Sequence, residues 1–469
     1  MKSLFHSIFL SAMLLIAPGL LRAQAMHTVR GADDRFKLDI LVVVAHPDDE
    51  GGATPYLARA IYDLHKRVGV VYTTRGGSGG NDYGREHGAA LANIREMEAR
   101  EACGKLGIRD VWFLDGKDTA SQNVLNSLAN WGHGNNLEKL TGLMRLTRPE
   151  VVITWMPGIF VGENHGDHQA SGVLATEAFD LAGDAVAFPA QVAGASKRLE
   201  LYLENLAPWQ PKKIYFFSDA HDQKRFVGSG PTYSIKEMSP SQKKPYWRPA
   251  LDAALPHETQ FSAEIGGIAK MSDAEIEKMM SDPDTGWWEE PMLLIFGKSV
   301  VGGAPTDDIF SGIKTGQAIK FAALPKIDGD NGAAGNGVVI GGPWLFYSAF
   351  LRRHGLPVLA ALKQPEIAVK TGTTLYVPFV IQHGEEKDSK ATLKVEAPAG
   401  WKIIAGQGEF QLPAEPATAM RVDLETPLLS AEELKKLPMQ EISVQVQLDG
   451  KPAGEVKLNV QLKATALPQ

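Results

Sequence analysis

A histidine and three carboxylates follow the apolar run LDILVVV directly, in the segment AHPDDEGG at positions 45–52. His46 and Asp49 are three residues apart on this predicted loop, close enough for both side chains to turn toward one point. A second segment, ENHGDHQASG, supplies His165 and His168. Two imidazoles and one carboxylate are typical of a catalytic zinc site that keeps one position open for water. We therefore predict that His46, Asp49 and His168 bind zinc.

Amide hydrolysis at such a site also needs acid and base groups. A zinc-bound water has a pKa of roughly 7, and another group must accept its proton as it attacks. Asp48, beside the predicted ligand Asp49, is the predicted general base. His165, one helical turn before His168, is predicted to stabilise the negative charge on the carbonyl oxygen and to protonate the leaving amine. Asp167 is predicted to orient a histidine from outside the ligand set.

Each segment taken alone also fits a structural role. Acids after a proline stabilise the first turn of a helix, and NHGDHQASG would serve as an ordinary polar helix cap. The site is favoured because both segments lie at the same end of the predicted sheet with complementary ligand types. Three histidines outside these segments, His65, His87 and His133, lack such neighbours, and we expect solvated or core roles for them. Cys103 is the only cysteine and is expected to pack in the core.

The elements that must position these residues alternate between strand and helix patterns from about residue 37 to 220. This alternation predicts an α/β fold, a Rossmann-like three-layer sandwich with a mainly parallel sheet. Ligands of such sheets bind beyond the carboxyl ends of the strands. The predicted loops HPDDE, TTRGGSGG, DGKD and PGIFVGENHGDH all follow strands at that end. TTRGGSGG does not have phosphate-loop spacing, and we interpret it as a tight loop that brings Arg75 to the crevice.

The last hundred residues form short alternating segments, which predict a C-terminal all-β sandwich domain. The predicted organisation is a signal peptide at 1–25, a catalytic α/β domain at 26–325, a linker region at 326–364 and an accessory β-sandwich at 365–469.

The N-terminus carries a basic Lys2, an apolar stretch and the ending Ala23-Gln24-Ala25, which predict an exported, periplasmic or secreted protein. A membrane span in the mature chain is not expected, because Arg352 and Arg353 interrupt the later apolar stretch. The chain has 48 basic and 55 acidic residues without a long run of either sign, so a nucleic-acid partner is not expected.

AHPDDE followed by a distant HGDH resembles the PIG-L/LmbE-like family of zinc-dependent de-N-acetylases, which includes the N-acetylglucosaminyl-phosphatidylinositol and mycothiol-pathway deacetylases. TTRGGSGG, NIREMEAREACGKLGI with its R-x-x-E core, VWFLDG and KKIYFF follow in the order of that family, over about residues 37 to 320. The resemblance implies that His46, Asp49 and His168 bind zinc, that Asp48 is the general base and that His165 stabilises the oxyanion. It implies an N-acetylated sugar or glycoconjugate of the N-acetylglucosamine type as the substrate.

The resemblance implies two further residues near the site. Arg75 resembles an arginine that contacts the sugar hydroxyls, and HETQ around His257 resembles a late family motif near the site. The family usually has proline where Gly166 stands, so we expect a more flexible loop there.

Two other functions remain as alternatives: a non-haem iron(II) oxygenase, since its facial triad has the same ligand types, and a non-catalytic glycan-binding protein. The sequence leaves open the exact substrate and acyl group, the native metal, the oligomeric state and the role of the C-terminal sandwich.

Overall fold

Strands and helices alternate along the first part of the chain, and short strands follow. The computed structural model describes residues 33–158, 165–192, 206–218, 229–282, 287–322, 337–356, 365–384 and 387–464. The predicted signal peptide at 1–25 lies outside these residues. The described α-helices are α1 (Thr54–Tyr62), α2 (Ala89–Lys105), α3 (Val124–Trp131), α4 (His133–Thr147), α5 (Gly166–Leu181), α6 (Pro189–Val192), α7 (Trp247–Ala254), α8 (Glu258–Ile268), α9 (Asp273–Ser281), α10 (Pro343–Arg353) and α11 (Ala431–Leu434). Short 3₁₀ helices lie at Asp34–Phe36 and Asp49–Ala53.

The strands belong to a first group of eight, followed by those near the C-terminus. The first group is β1 (Ile40–Val44), β2 (Val68–Tyr72), β3 (Asp110–Phe113), β4 (Val151–Trp155), β5 (Lys213–Phe217), β6 (Thr232–Tyr233), β7 (Met292–Leu293) and β8 (Ile295–Ser299). The later strands are β9 (Gly337–Ile340), β10 (Glu366–Lys370), β11 (Thr374–Gln382), β12 (Ser389–Glu396), β13 (Lys402–Ala405), β14 (Gly408–Leu412), β15 (Ala417–Glu425), β16 (Gln440–Leu448) and β17 (Lys451–Lys463).

The central sheet has the strand order β3-β2-β1-β4-β5-β8. The five strands predicted from the sequence pair in parallel, and β8 adds an antiparallel edge next to β5. The order reverses at β1, which lies between β2 and β4, and this is where a ligand crevice is expected in an open α/β sheet. The predicted Rossmann-like sheet is confirmed, and β8 is an addition that the sequence did not predict.

Helices cover both faces of this sheet. All five residues of β1 are buried, and successive side chains point to opposite faces. Leu41 and Val43 pack in a cluster with α3, α4 and α5. Ile40, Val42 and Val44 pack in a second cluster with α1, α2 and α7. The fold is therefore the predicted three-layer sandwich.

The C-terminal strands form two sheets packed face to face. One has the order β10-β17-β16-β12-β14 and the other β13-β15-β11-β9. Inward residues such as Phe379, Val422 and Val444 fill the space between them. The predicted all-β sandwich is confirmed.

The region 326–364, predicted as a linker, contains secondary structure in its described part. β9 pairs with β11 of the sandwich, and α10 packs Tyr347, Phe350 and Leu351 against the core of the α/β domain. These elements are short and lie between glycines, so their stability comes from their partners and not from a long periodic pattern. Among the described helices, none has both the length and the apolarity needed to cross a bilayer.

Candidate active site

Asp49 closes the loop that follows β1. Its Oδ2 atom accepts hydrogen bonds from the backbone N–H groups of Ala45 (2.9 Å) and His46 (2.8 Å). Its Oδ1 atom lies 3.1 Å from Nε2 of His168 on α5. One carboxylate therefore holds the turn and also faces the second histidine segment. Asp48, just before it, has φ 108° and ψ −28°, a strained backbone conformation for a residue with a side chain.

Three imidazole rings meet at the carboxyl end of the sheet. One nitrogen atom from each of His46, His165 and His168 lies within 4.8 Å of the others. The rings of His46 and His165 are stacked with their centroids 4.8 Å apart. Trp155, the last residue of β4, stacks on His168 at 4.3 Å with an interplanar angle of 3°. Because Trp155 ends a buried strand, this contact restrains the ring of His168.

Two more carboxylates surround His46. Its Nε2 atom lies 3.2 Å from Oδ1 of Asp118 and 3.4 Å from Oδ2 of Asp167. Asp167 also accepts hydrogen bonds from the backbone N–H and the hydroxyl group of Thr119, both at 2.9 Å. The carbonyl oxygen of Thr119 accepts a hydrogen bond from Nε2 of His165 at 2.7 Å. Asp167 thus contacts one histidine directly and holds the residue that orients another.

The carboxylates and imidazoles shift one another's pKa values. Burial lowers the pKa of His46, but Asp49, Asp118 and Asp167 outweigh it and hold that pKa well above the ordinary value. Burial would raise the pKa of Asp49, but His168 and His46 outweigh it and hold that pKa well below the ordinary value. Burial, together with the charge of Asp49, raises the pKa of Asp48 to about 7. The cluster is rich in negative charge and favours a cation at its centre.

The donor set fits zinc. Zinc takes histidine nitrogen and carboxylate oxygen at about 2.0–2.2 Å, which places tetrahedral donors roughly 3.3–3.6 Å apart. Oδ1 of Asp49 lies 3.1 Å from Nε2 of His168, and its other oxygen, Oδ2, lies 3.6 Å from Nδ1 of His46. Among the described residues, no partner completes a hydrogen bond with the buried Nε2 atom of His46. Two other groups bring their donor atoms within 4.8 Å of one another: one is His46, His165 and His168, and the other is His46, Asp118, His165 and Asp167. The ligand set of His46, Asp49 and His168 therefore stays a prediction.

The structure explains why glycine occupies position 166. Its backbone N–H donates a hydrogen bond to the carbonyl oxygen of Ser121 at 2.7 Å, and a Cβ atom there would lie 2.8 Å from the same oxygen. Proline has no N–H to donate and carries a Cβ atom. The glycine therefore allows the loop at residues 119–123 to pack closely against the start of α5, where the sequence suggested only a more flexible loop.

Two pockets adjoin the cluster and share Asp48, Asp49 and His168. The smaller one, called here the polar pocket, has a volume of about 240 Å³, and His46, Arg95, Asp118 and His165 line it. The larger one, called the aromatic pocket, has a volume of about 450 Å³. Its aromatic walls are Trp155, Phe261, Trp287 and Trp288.

Arg75 differs from the expectation that it reaches the crevice. Its side chain pairs with Glu96 on α2 and donates to Oδ1 of Asn93 at 3.3 Å, and it lines neither described pocket. The arginine that lines the polar pocket is Arg95. Glu96 draws Arg75 outward because a long exposed cation pairs with the nearest acid on the adjoining helix.

Arg95 and Asp118 were not identified as site residues from the sequence. Arg95 is buried and donates hydrogen bonds to the carbonyl oxygens of Gly76 and Gly80, both at 2.7 Å, so it shapes the loop after β2. The sequence offered two signals. Arg95 is the arginine of the R-x-x-E pattern on a helix, and Asp118 is the last acid of DGKD after a strand.

His257 lies where the sequence predicted, near the site. Its Nε2 atom donates a hydrogen bond to Oε1 of Glu50 at 2.8 Å, and both side chains are buried. Together they form part of the wall of the aromatic pocket.

Comparison with known proteins found a family model that matches part of the chain. Residues 41–179 match the family model PIG-L: GlcNAc-PI de-N-acetylase. No curated protein matches the chain.

Solved structures similar to the chain include the conserved protein TT1542 from Thermus thermophilus, at 23% identity and a TM-score of 0.38, covering 57% of this chain and 97% of that one. Another is the N,N'-diacetylchitobiose deacetylase from Pyrococcus horikoshii, at 19% identity and a TM-score of 0.37, covering 59% and 87%. A third is GalB, the 4-carboxy-2-hydroxymuconate hydratase from Pseudomonas putida, at 17% identity and a TM-score of 0.38, covering 58% and 99%.

The matched residues 41–179 span β1 to most of α5 and contain the strained Asp48, the Asp49 turn and all three imidazoles. The part of the chain that matches the PIG-L family model is therefore the part that carries the candidate site.

Proposed function

We propose that this chain is an exported, zinc-dependent amidohydrolase that removes the acetyl group from an N-acetylglucosamine-type sugar or conjugate. The observation that carries the proposal is the position of Asp48, a carboxylate that lines both pockets beside the imidazoles and Asp49. The match of residues 41–179 to a family model described as a de-N-acetylase supports the reaction type.

Each side chain has a role in this reaction. His46, Asp49 and His168 would hold zinc, which when bound supplies Lewis acidity and a water of lowered pKa. Asp48 accepts a proton from the attacking water, whose oxygen forms the new bond to the carbonyl carbon. The C–N bond then breaks, and the amine nitrogen takes a proton from the acid groups of the site. The products are acetate and a free amino sugar.

His165 is suited to stabilise the oxyanion through one atom. Its Nε2 atom donates to the carbonyl oxygen of Thr119, so Nδ1 is the nitrogen that would face the reacting group. Donation from Nδ1 requires the doubly protonated ring. Burial and the neighbouring His46 and His168 lower the pKa of His165, so the negative charge that forms on the carbonyl oxygen must favour this second proton, which then passes to the leaving amine.

The polar pocket supports a sugar as the substrate. Arg95, Asp118 and Gln260 line it and offer charged and amide groups to hydroxyls. The predicted leader at 1–25 supports export, which cell fractionation of the full-length chain would test.

The test is release of free amine from a panel of N-acetylated sugars by the mature protein, with and without a chelator. Asp48→Asn should lower kcat by about 10²–10⁴-fold while zinc stays bound, because only the base is lost. Asp252→Asn is the matched control, because this partly exposed residue of α7 pairs with Arg248 and lines neither pocket; it should keep wild-type turnover. Retained turnover in Asp48→Asn would remove the assignment of the base. Zinc-loaded protein that turns over without oxygen would exclude the iron oxygenase.

A further inference from the structure

The aromatic pocket is larger than an acetyl group requires. Its volume is about 450 Å³, whereas a cavity of about 10–15 Å³ is enough to hold one water molecule. The volume lies in the range of sites that enclose whole small-molecule ligands. It opens directly onto Asp48, Asp49 and His168, where the amide would be cleaved.

Several polar groups in the wall of this pocket already have hydrogen-bond partners within the protein. The indole Nε1 of Trp288 donates to the carbonyl oxygen of Gly51 at 2.7 Å. The hydroxyl of Thr54 donates to the carbonyl oxygen of Glu50 at 2.8 Å, and the Glu50 carboxylate accepts from His257. A sugar ring would bring several hydroxyl groups that need partners, and burying them unpaired is costly. This wall therefore favours an apolar ligand.

The surfaces left open are aromatic faces and small residues. Phe261 and Trp287 lie with ring centroids 5.9 Å apart, and Trp287 and Trp288 with centroids 6.1 Å apart. Ala253 and Ala254 on α7 add small apolar lining. The polar exceptions include the exposed Glu264 and two buried ring nitrogens, Nδ1 of His257 and Nε1 of Trp155, neither of which has a hydrogen-bond partner among the described residues.

We infer that the aromatic pocket receives an acyl chain longer than acetyl, so that the substrate is an N-acylated amino sugar with several methylenes or an aryl group on its amide. The inference rests on the proposed function and extends it. The polar pocket takes the sugar, and the two pockets share the residues at the reacting carbon. Water adds to the acyl carbon, the C–N bond breaks, and a longer carboxylate and the free amino sugar leave.

The first test compares N-acetyl-, N-butanoyl- and N-hexanoylglucosamine. Each methylene buried in an apolar site contributes about 0.8 kcal/mol, or roughly fourfold in kcat/KM. Wild type should therefore prefer butanoyl to acetyl by about 15-fold. A preference for acetyl would overturn the inference.

Variants of the wall connect this preference to the pocket. Trp287→Ala should remove most of the preference, and Trp287→Phe should keep it. Ala254→Leu should lower kcat/KM for the hexanoyl substrate more than for the acetyl substrate, because it fills the pocket without removing a wall. Tyr376→Ala, an exposed aromatic on the distant sandwich, is the matched control and should keep the wild-type ratio. Because each variant is judged by a ratio of two substrates, a general loss of folded protein does not produce the expected result.

A binding measurement separates this inference from the proposed function. If no N-acylglucosamine of any chain length is cleaved, the proposed function is wrong, but the pocket is still tested by titrating hexanamide and acetamide against tryptophan fluorescence. Hexanamide should bind at least tenfold more tightly than acetamide, and Trp287→Ala should abolish the difference. Equal binding would overturn the inference. So would a specific loss of turnover on N,N'-diacetylchitobiose in Trp287→Ala, since the pocket would then hold a second sugar.

Discussion

Asp48 combines a predicted catalytic role with a strained backbone, so replacing it with glycine should change activity and stability in opposite directions. Its φ of 108° and ψ of −28° lie where side chains rarely occur, and such conformations cost about 1–3 kcal/mol. Glycine relieves that strain but adds about 0.5–1 kcal/mol of conformational entropy to the unfolded chain. The expected net effect of Asp48→Gly is stabilisation by up to about 2.5 kcal/mol. Loss of the base should lower kcat by about 10²–10⁴-fold, or about 2.7–5.4 kcal/mol of transition-state stabilisation.

Urea unfolding and amine release measured on the same preparations test both effects. Lys243→Gly is the matched control, because Lys243 is exposed and has φ 56°. It should gain a smaller amount of stability and keep full turnover. A less stable Asp48→Gly would refute the strain argument, and an active one would refute the assignment of the base.

The other predictions concern the metal and the core. Asp49→Asn and His168→Ala should each lose zinc on dialysis, measured as metal content per chain; either variant retaining a full equivalent would contradict the ligand set. Lys212 lies 3.2 Å from the buried carboxylate of Glu150, so Lys212→Met should lower the free energy of unfolding by about 1–3 kcal/mol, since it removes one partner of a buried charge. Lys390→Met, which breaks an exposed ion pair, should change the free energy of unfolding little. Equal effects of the two substitutions would contradict the prediction that burial makes the Lys212 pair matter more.

The sequence was sufficient for the central sheet. β1 and β4 are buried along their whole length, so their continuous apolar runs and the helical patterns between them predict a parallel sheet without knowledge of contacts. β8 and β9 did not emerge, because most of their residues are only partly buried and each strand is stabilised by pairing with β5 or β11. Such pairing depends on residues far away in the chain.

At the site, the sequence determined which residue types follow the strands, because HPDD and HGDH carry their chemistry within a few positions. The tertiary structure decided which of them meet. It turned Arg75 toward Glu96, brought Arg95 and Asp118 to the polar pocket, and assembled the aromatic pocket from α8, the end of β4 and Trp287-Trp288. The physical reason is that a side chain's position depends on the partners that folding brings beside it, and those partners lie tens to hundreds of residues away in the chain.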